Sequence, residues 1–192
     1  LGYRPDYTIL DQDDAAGLVR DAARDLHLAA KHFPKPDVLL GVFSLAANTG
    51  RPLDEVATAR FADSAVDPVD VLKVEAAYRQ RKRVLNAMDF DDLLVNSLAL
   101  LRQEEAVRYH YQHRFRYLLV DEYQDTNLLQ AGWVDLLAEQ HRNLLVVGDD
   151  FQSIYSWRGA DFRNILSFPQ RYAGAAVFKL ELNYRSTPEI LA

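Results

Sequence analysis

The sequence predicts an α/β protein in which a helical subdomain is followed by a domain built on a parallel β-sheet. Before residue 115 the chain shows helix caps and helical apolar spacing but no convincing strand alternation. After that point, short apolar runs are separated by a segment of helix length. The chain has 192 residues, 49% of them hydrophobic, which is enough to build a core.

The first two predicted helices begin at a capping residue and at a proline. Asp11 is expected to cap a helix that starts near Gln12 and ends near Phe33, before two prolines. Residues 38–47 form a short segment to which no structure is assigned, and a loop follows it. Pro52 then opens a helix that continues to Phe61.

A long helix is predicted to close the first half of the chain. Asp67 is expected as its N-cap and Pro68 as its first residue, with an end near Ala87. We therefore expect a helical subdomain at residues 1–87 and the sheet-containing part at residues 88–192.

The second half begins with a predicted helix from Phe90 to about Glu105 and continues with three candidate strands. The apolar runs lie at residues 117–120, 144–147 and 177–180. The first two are nearly continuous, as is typical of parallel strands buried on both faces, and residues 126–140 have the length and apolar spacing of a crossover helix. Ligands of such sheets gather at the carboxyl ends of the strands, so the residues just after each run are candidates for chemistry.

Composition excludes several classes of protein. The absence of cysteine excludes a disulfide framework and a thiolate metal site. No apolar run approaches the roughly 20 residues that span a bilayer, and the first residues do not resemble a signal peptide, so we expect a cytoplasmic protein without membrane contact. The net charge of −6 provides no general attraction for nucleic acid. The basic runs at residues 79–83 and 108–116 are interpreted first as solvated helix faces, with local nucleic-acid contact as the alternative.

The first strand end carries adjacent carboxylates, Asp121 and Glu122. A buried strand that delivers two carboxylates suits a magnesium–nucleotide site, with Asp121 as the metal ligand and Glu122 as the base that activates water. The alternative is that the acidic pair caps the next helix. Asp125 and Thr126 fit that capping role better, which leaves Asp121 and Glu122 for chemistry.

The second strand end, at residues 147–160, combines a polar amide with two aromatic residues and an arginine. Tyr155, Trp157 and Arg158 fall within four positions, which is the composition of a surface on which single-stranded bases stack. Stacking does not need a basic field, so it is compatible with an acidic protein. The alternative is that Tyr155 and Trp157 are core residues.

The third junction, at residues 180–188, places an arginine on a loop. Thr187 and Pro188 mark a helix start, so Arg185 is expected on the preceding loop, where it is able to reach a phosphate. The alternative is an ordinary surface arginine.

The order and spacing of these junctions resemble the superfamily 1 DNA helicases of the UvrD, PcrA and Rep type. The resemblance rests on VDEYQDTN at residues 120–127 (helicase motif II), VGDDFQSIYSWRGA at 147–160 (motif III) and LNYRS at 182–186 (motif IV). MDFDDLL at 88–94 resembles the acidic-aromatic segment before motif II, and YTILD at 7–11 resembles the entry to the helical 1B subdomain. This chain has Phe151, Ser156 and Leu182 where the family usually has an acidic residue, a glycine and a glutamine.

This resemblance implies a fold and a set of roles. The fold would be a 1B-like helical insertion followed by the later part of a RecA-like P-loop NTPase domain, motor domain 1A. The activity would be ATP-dependent 3′–5′ movement on single-stranded and partly duplex DNA, in repair or replication, with ATP and Mg²⁺ as cofactors and partner proteins that the resemblance does not name. The implied site residues are Asp121 for magnesium, Glu122 for water activation, Gln152 for sensing the γ-phosphate, Tyr184 against the base, Arg185 on the γ-phosphate, and Tyr155, Trp157, Arg158 and Phe90 for DNA.

No G-x-x-x-x-G-K-[ST] phosphate-binding loop occurs in the chain, and residues 46–52, the nearest approach to one, lack its lysine. The family carries that loop upstream of the segment that this chain resembles. We therefore expect an internal fragment of a longer helicase that by itself neither hydrolyses ATP nor stays cleanly monomeric. Two alternatives remain: the helicase portion of a helicase–nuclease, and a non-catalytic module that binds single-stranded DNA without ATP.

Overall fold

The computed structural model describes residues 2–28 and 32–191 of the chain. Its first half is a packed group of four helices, α1 (Gln12–Asp25), α2 (Pro36–Thr49), α3 (Leu53–Arg60) and α4 (Pro68–Leu85). Their apolar faces share one core, whose fully enclosed members include Val19, Leu39, Val71 and Val74. Asp67 caps α4 by accepting a hydrogen bond from the backbone N–H of Val69, which confirms the predicted cap.

Three features of this half differ from the prediction. Helix α1 ends at Asp25 instead of near Phe33, because His27 adopts a left-handed backbone (φ 58°) and the chain turns. The residues without assigned structure, 38–47, belong to α2. The region predicted to be entirely helical also contains a strand, β1 (Thr8–Ile9), which pairs in parallel with β2 (Ala87–Met88).

The β1–β2 pair brings the two ends of the helical group together. Thr8 lies opposite Ala87 and Ile9 opposite Met88, and the backbone N–H of Leu10 donates to the carbonyl of Met88 at 2.8 Å. The chain therefore leaves the β1–β2 pair after Ile9 and returns to it at Ala87, so that the two ends of residues 10–86 lie side by side.

Directly after β2, a partly buried charged cluster joins α4 to the next helix, α5 (Phe90–Gln103). The Lys82 ammonium lies 2.5 Å from carboxylate oxygens of both Asp89 and Asp92, and the Tyr78 hydroxyl donates to Asp89 at 2.8 Å. Burial would raise the pKa of Asp89, but attraction to Lys82 and the hydrogen bond from it outweigh burial and leave that pKa lowered. At Asp92 burial outweighs Lys82 and the pKa is raised. The cluster holds the start of α5 against α4.

The second half contains α5, α6 (Glu105–Arg114) and α7 (Leu128–Ala138), followed by short helices. Two of the predicted strands form, β3 (Leu118–Val120) and β4 (Leu144–Val146), and they pair in parallel with α7 as the crossover. Helix α7 packs against α5 and α2, which connects this sheet to the helical half. Three short helices follow, α8 (Arg163–Leu166), α9 (Phe168–Arg171) and α10 (Pro188–Leu191).

Two predictions for this sheet are wrong. Residues 177–180 form no strand, since no strand in the described residues pairs with them, and Phe178 is 86% exposed. The paired strands are not buried on both faces either, because Leu119 and Leu145, directly opposite each other, are 74% and 52% exposed. The side chains on the opposite face of the pair, such as Val120 and Val146, are only half-buried.

Helix α7 is capped by Asn127, not by the Asp125–Thr126 pair expected from the sequence. The Asn127 side chain accepts from the backbone N–H of Gln130, and the Gln130 side chain accepts from the backbone N–H of Asn127. Asp125 instead ends a 3₁₀ turn, Tyr123–Asp125. Among the residues that the structure describes, no helix combines the length and the apolar composition needed to span a bilayer.

Candidate nucleotide and nucleic-acid site

The carboxyl ends of β3 and β4 lie side by side at one edge of the sheet. The backbone N–H of Val147 donates to the carbonyl of Val120 at 2.8 Å, and the N–H of Tyr123 donates to the carbonyl of Val147 at 2.9 Å. These bonds continue the parallel pairing beyond the strands. As the sequence predicted, the residues that follow the two strands emerge together.

Asp121 and Glu122 are both exposed at this edge. Glu122 has a left-handed backbone (φ 50°), and its N–H donates to the carboxylate of Asp121 at 2.9 Å. The left-handed residue turns the chain from the strand into the 3₁₀ turn, where Gln124 is almost fully buried. The Gln124 side chain then donates to Oε2 of Glu122 at 2.8 Å, which holds one oxygen of that carboxylate.

The second strand end forms a turn centred on Asp149. One oxygen of the Asp149 carboxylate accepts from the backbone N–H of Phe151 at 3.0 Å, and the other accepts from the side-chain amide of Gln152 at 2.8 Å. Gln152 therefore lies on the same edge as the carboxylates, with its amide held by Asp149.

The segment after β3 (residues 121–127, the carboxylate segment) and the segment after β4 (residues 147–160) meet again further along the chain. Asn127 and Ala160 form an isolated antiparallel bridge, and the N–H of Asp161 donates to the carbonyl of Thr126 at 3.0 Å. Residues 121–127 and 147–160 are thus attached to each other at both ends.

The aromatic segment between these attachments is presented at the surface. Trp157 is 72% exposed and Tyr155 is 39% exposed, so in this structure neither is a core residue. Trp157 lies in a 3₁₀ turn, Ser156–Arg158, that ends at Gly159 in a left-handed conformation. The Arg158 side chain lies outside the described part of the chain.

Gly159 packs directly on the end of α2. A Cβ atom at this position would lie 2.8 Å from Cβ of Asn48, which only glycine avoids. Asn48 also donates to the Asp91 carboxylate at 2.8 Å. Asn48 thus joins the aromatic segment to the start of α5, where Phe90 is 64% exposed.

The structure does not join Tyr184 or Arg185 to the carboxylates. Tyr184 is 89% exposed, and the backbone N–H of Arg185 donates locally to the side chain of Asn183 at 2.8 Å. Among the described residues, no hydrogen bond or ion pair links either residue to Asp121, Glu122 or Gln152.

Tyr123 attaches the carboxylate segment to the protein interior and to Arg171. Its ring is fully buried, and its hydroxyl accepts from Arg171 at 2.8 Å. Arg171 also pairs with Asp135 of α7 at 2.7 Å. Burial raises the pKa of the Tyr123 hydroxyl, although Arg171 opposes that shift.

The oxygen donors at this edge suit a hard cation bound together with phosphates. In the described part of the chain, no cluster of three or more His, Cys, Asp or Glu side chains is able to hold a metal ion. Mg²⁺ does not need such a cluster, because it is commonly bound by one or two carboxylates together with substrate phosphates and water. The exposed carboxylates of Asp121 and Glu122 fit that pattern.

Comparison with known proteins places this site in a family. The family model described as the UvrD/REP helicase N-terminal domain matches residues 1–173, which is most of the chain. The chain belongs to the UvrD/REP helicase family. The match includes the segments after β3 and β4 and ends before Tyr184 and Arg185.

Curated relatives of this UvrD/REP family chain are named as DNA helicases. It is 38% identical over 194 residues to the ATP-dependent DNA helicase PcrA of Staphylococcus epidermidis and 39% identical over 191 residues to that of Staphylococcus aureus. It is 38% identical over 205 residues to a probable DNA helicase II homolog of Rickettsia felis. Each comparison covers the whole chain but only 26%, 26% and 29% of the relative, so the chain spans about a quarter of their length.

Sequence reasoning missed three polar residues that organise this UvrD/REP site. Gln124 and Asp149 lay inside the recognised segments, but no role was assigned to them. Gln124 gave no separate signal, because the burial that requires its amide to be satisfied internally is visible only in the folded chain. Asn48 gave no signal, because it lies 43 residues before its partner Asp91.

Proposed function

We propose that this chain is part of an ATP-dependent DNA helicase that couples ATP hydrolysis to 3′–5′ movement on single-stranded DNA and to unwinding of partly duplex DNA. One observation carries the proposal. Two parallel strands of a UvrD/REP family chain bring the Asp121–Glu122 carboxylates and the Gln152 amide to one edge, next to exposed aromatic residues. The names of the relatives as ATP-dependent DNA helicases support this reading.

We assign residues 88–192 to a RecA-like motor domain and residues 1–87 to a helical insertion. The parallel β3–α7–β4 unit supports the first assignment, since it is the building block of such sheets. The β1–β2 pair supports the second, because an inserted unit must leave and return at neighbouring points.

The carboxylate edge is assigned to the nucleotide. Asp121 would hold Mg²⁺, which supplies positive charge to the phosphate oxygens when bound. Glu122 would accept a proton from the attacking water through its exposed carboxylate. Gln152 would sense the γ-phosphate, while Arg185 would stabilise its developing charge and Tyr184 would lie against the base. The last two roles require the loop after residue 180 to approach the edge.

The aromatic segment is assigned to single-stranded DNA. Trp157 and Tyr155 would stack on bases, with Arg158 on the backbone and Phe90 as a further contact beyond Asn48. Gln152 lies three residues before Tyr155. A change in the Asp149–Gln152 turn is therefore transmitted along a short covalent path to the stacking residues.

The test is ATP hydrolysis by the full-length protein with and without single-stranded DNA. Glu122→Gln is expected to lower kcat by about 10²- to 10⁴-fold, the usual contribution of a general base. Glu139→Gln, the same change at an exposed residue at the end of α7, is the matched control and is expected to leave kcat unchanged. Trp157→Ala is expected to weaken DNA binding by roughly 5- to 150-fold, the equivalent of about 1–3 kcal/mol for one stacked base.

Two results would contradict the proposal. One is wild-type protein that binds single-stranded DNA but does not turn over ATP, which is the behaviour of a non-catalytic binding module. The other is Glu122→Gln protein whose kcat equals that of wild type.

A further inference from the structure

We infer that Gln124 is a positioning residue that joins the Glu122 carboxylate to the Asp149–Gln152 turn, so that hydrolysis responds to DNA bound at the aromatic segment. This inference rests on the function proposed above. It concerns a residue between the two segments and adds a connection to the roles already assigned.

Both ends of the Gln124 amide are engaged. Its Nε2 donates to Oε2 of Glu122 at 2.8 Å and to Oδ2 of Asp125 at 3.3 Å, while its Oε1 accepts from the backbone N–H of Asp149 at 3.1 Å. The side chain is only 1% exposed. A buried primary amide with carboxylates on one side and an N–H on the other has only one orientation that satisfies every group.

The connection continues to Gln152. The residue that accepts from Gln152 is Asp149, whose own N–H is held by Gln124. Four residues therefore form one hydrogen-bonded series across the two strand ends: Glu122, Gln124, Asp149 and Gln152. A displacement of the Asp149 turn changes the position of the Gln124 amide and hence of the Glu122 carboxylate.

The packing around Gln124 leaves little room for it to adjust independently. A Cβ atom at Gly148 would lie 2.3 Å from Oε1 of Gln124 and 2.8 Å from the Ile165 side chain. The glycine therefore permits the close approach of the two strand ends, and the amide fills the space against it. Gln124 also holds only one of the two Glu122 oxygens, which leaves Oε1 for water.

Gln124→Glu tests the connection because it removes one end of it selectively. A carboxylate at position 124 still accepts from the Asp149 N–H but cannot donate to Glu122, and it repels Glu122 and Asp125. Gln130→Glu is the matched control: Gln130 is exposed, and its side chain accepts from the N–H of Asn127, as a glutamate side chain also does.

The measurements are kcat and KM for ATP with and without single-stranded DNA, and the Kd for that DNA, on full-length protein. Gln124→Glu is expected to lower the DNA-stimulated kcat by about 10- to 100-fold, the usual effect of losing a partner that orients a site residue. The ratio of stimulated to unstimulated kcat is expected to fall, while KM and the DNA Kd stay near wild type. A merely structural role would lower the two kcat values in proportion and leave the ratio unchanged.

A second variant, Asp149→Asn, breaks the series at the other end by presenting an amide or a weaker acceptor to Gln152. If the four residues act as one series, the double variant is no slower than the slower single variant. The inference would be overturned if the fold-reductions in kcat of the two single variants multiplied in the double variant. It would also be overturned if Gln124→Glu kept the wild-type ratio of stimulated to unstimulated kcat. If the glutamate variant does not fold, Gln124→Met takes its place in that comparison. Wild-type protein without ATP turnover would overturn the proposed function and this inference with it, whereas active variants overturn the inference alone.

Discussion

Asn48 and Asn127 are 79 positions apart in sequence, and their side chains form a buried hydrogen bond of 2.6 Å from Nδ2 of Asn127 to Oδ1 of Asn48. Asn48 is the penultimate residue of α2 and Asn127 is the N-cap of α7. The bond therefore connects the helical half directly to the end of the carboxylate segment. Gly159 rests on the same asparagine, so Asn48 is the point at which three segments meet.

Asn48→Ala is expected to lower the free energy of unfolding by about 1–3 kcal/mol, because it leaves the buried Asn127 amide without its acceptor. The measurement is urea unfolding of wild type and variant at one protein concentration. Asn143→Ala removes an exposed side-chain bond to the carbonyl of Arg116 and serves as the control, with an expected change within about 0.5 kcal/mol. Equal effects of the two substitutions would refute a special role for Asn48.

Gly159→Ala and Gly174→Ala separate backbone strain from packing. Both glycines have left-handed backbones, with φ of 85° and 88°, but only a Cβ at Gly159 meets a neighbour, since nothing lies within 4 Å at Gly174. We expect Gly174→Ala to cost about 1–2 kcal/mol from strain alone. Gly159→Ala is expected to cost about 1–3 kcal/mol more because of the collision with Asn48. Thermal unfolding of both variants measures the difference, and matching losses would show that the α2 contact yields without cost.

Tyr78 gives the chain a stability that disappears at alkaline pH. Burial and the neighbouring Asp89 carboxylate raise the pKa of the Tyr78 hydroxyl above its ordinary value near 10. Because the folded-state pKa is the higher one, this stability is complete below about pH 10 and is lost as the pH rises from there towards the folded-state pKa. Tyr78→Phe should lose stability less steeply above pH 10, by up to about 1.4 kcal/mol per pH unit.

Urea unfolding of wild type and Tyr78→Phe between pH 8 and about pH 11 measures this effect. The same series on Tyr109→Phe, at a tyrosine that is 56% exposed, controls for the removal of a hydroxyl group. Parallel pH dependences of wild type and Tyr78→Phe would contradict the assignment.

The 192-residue chain by itself is expected to self-associate and not to hydrolyse ATP. It contains no phosphate-binding loop, and Leu119 and Leu145 expose the open face of the sheet. Replacing both leucines with lysine should lower the weight-average mass in sedimentation equilibrium without unfolding the chain. Val84→Lys, at a valine of α4 that is 77% exposed and lies outside the sheet, should not change that mass. ATP turnover by the pure chain, or a monomeric wild type, would refute this prediction.

The sequence by itself determined the features that depend on neighbouring residues. Asp67 and Pro68 start α4 where their capping chemistry predicts, and the first two apolar runs after residue 115 become β3 and β4 with α7 between them. The carboxylates after β3 and the glutamine after β4 reach one edge because parallel strands end together. These outcomes depend on local backbone preferences and on one pairing, which is why the pattern was sufficient.

Only the tertiary structure decided the features that depend on distant partners. Residues 177–180 have the composition of a strand, but no strand in the described part of the chain pairs with their backbone groups, so composition alone was misleading. Three contacts join residues that no sequence periodicity relates: the β1–β2 pair, the bond between Asn48 and Asn127, and the bond between Gln124 and Asp149. A hydrogen bond between buried polar groups is selected by whichever donor and acceptor the folded chain brings within about 3 Å of each other, and that choice is made in three dimensions.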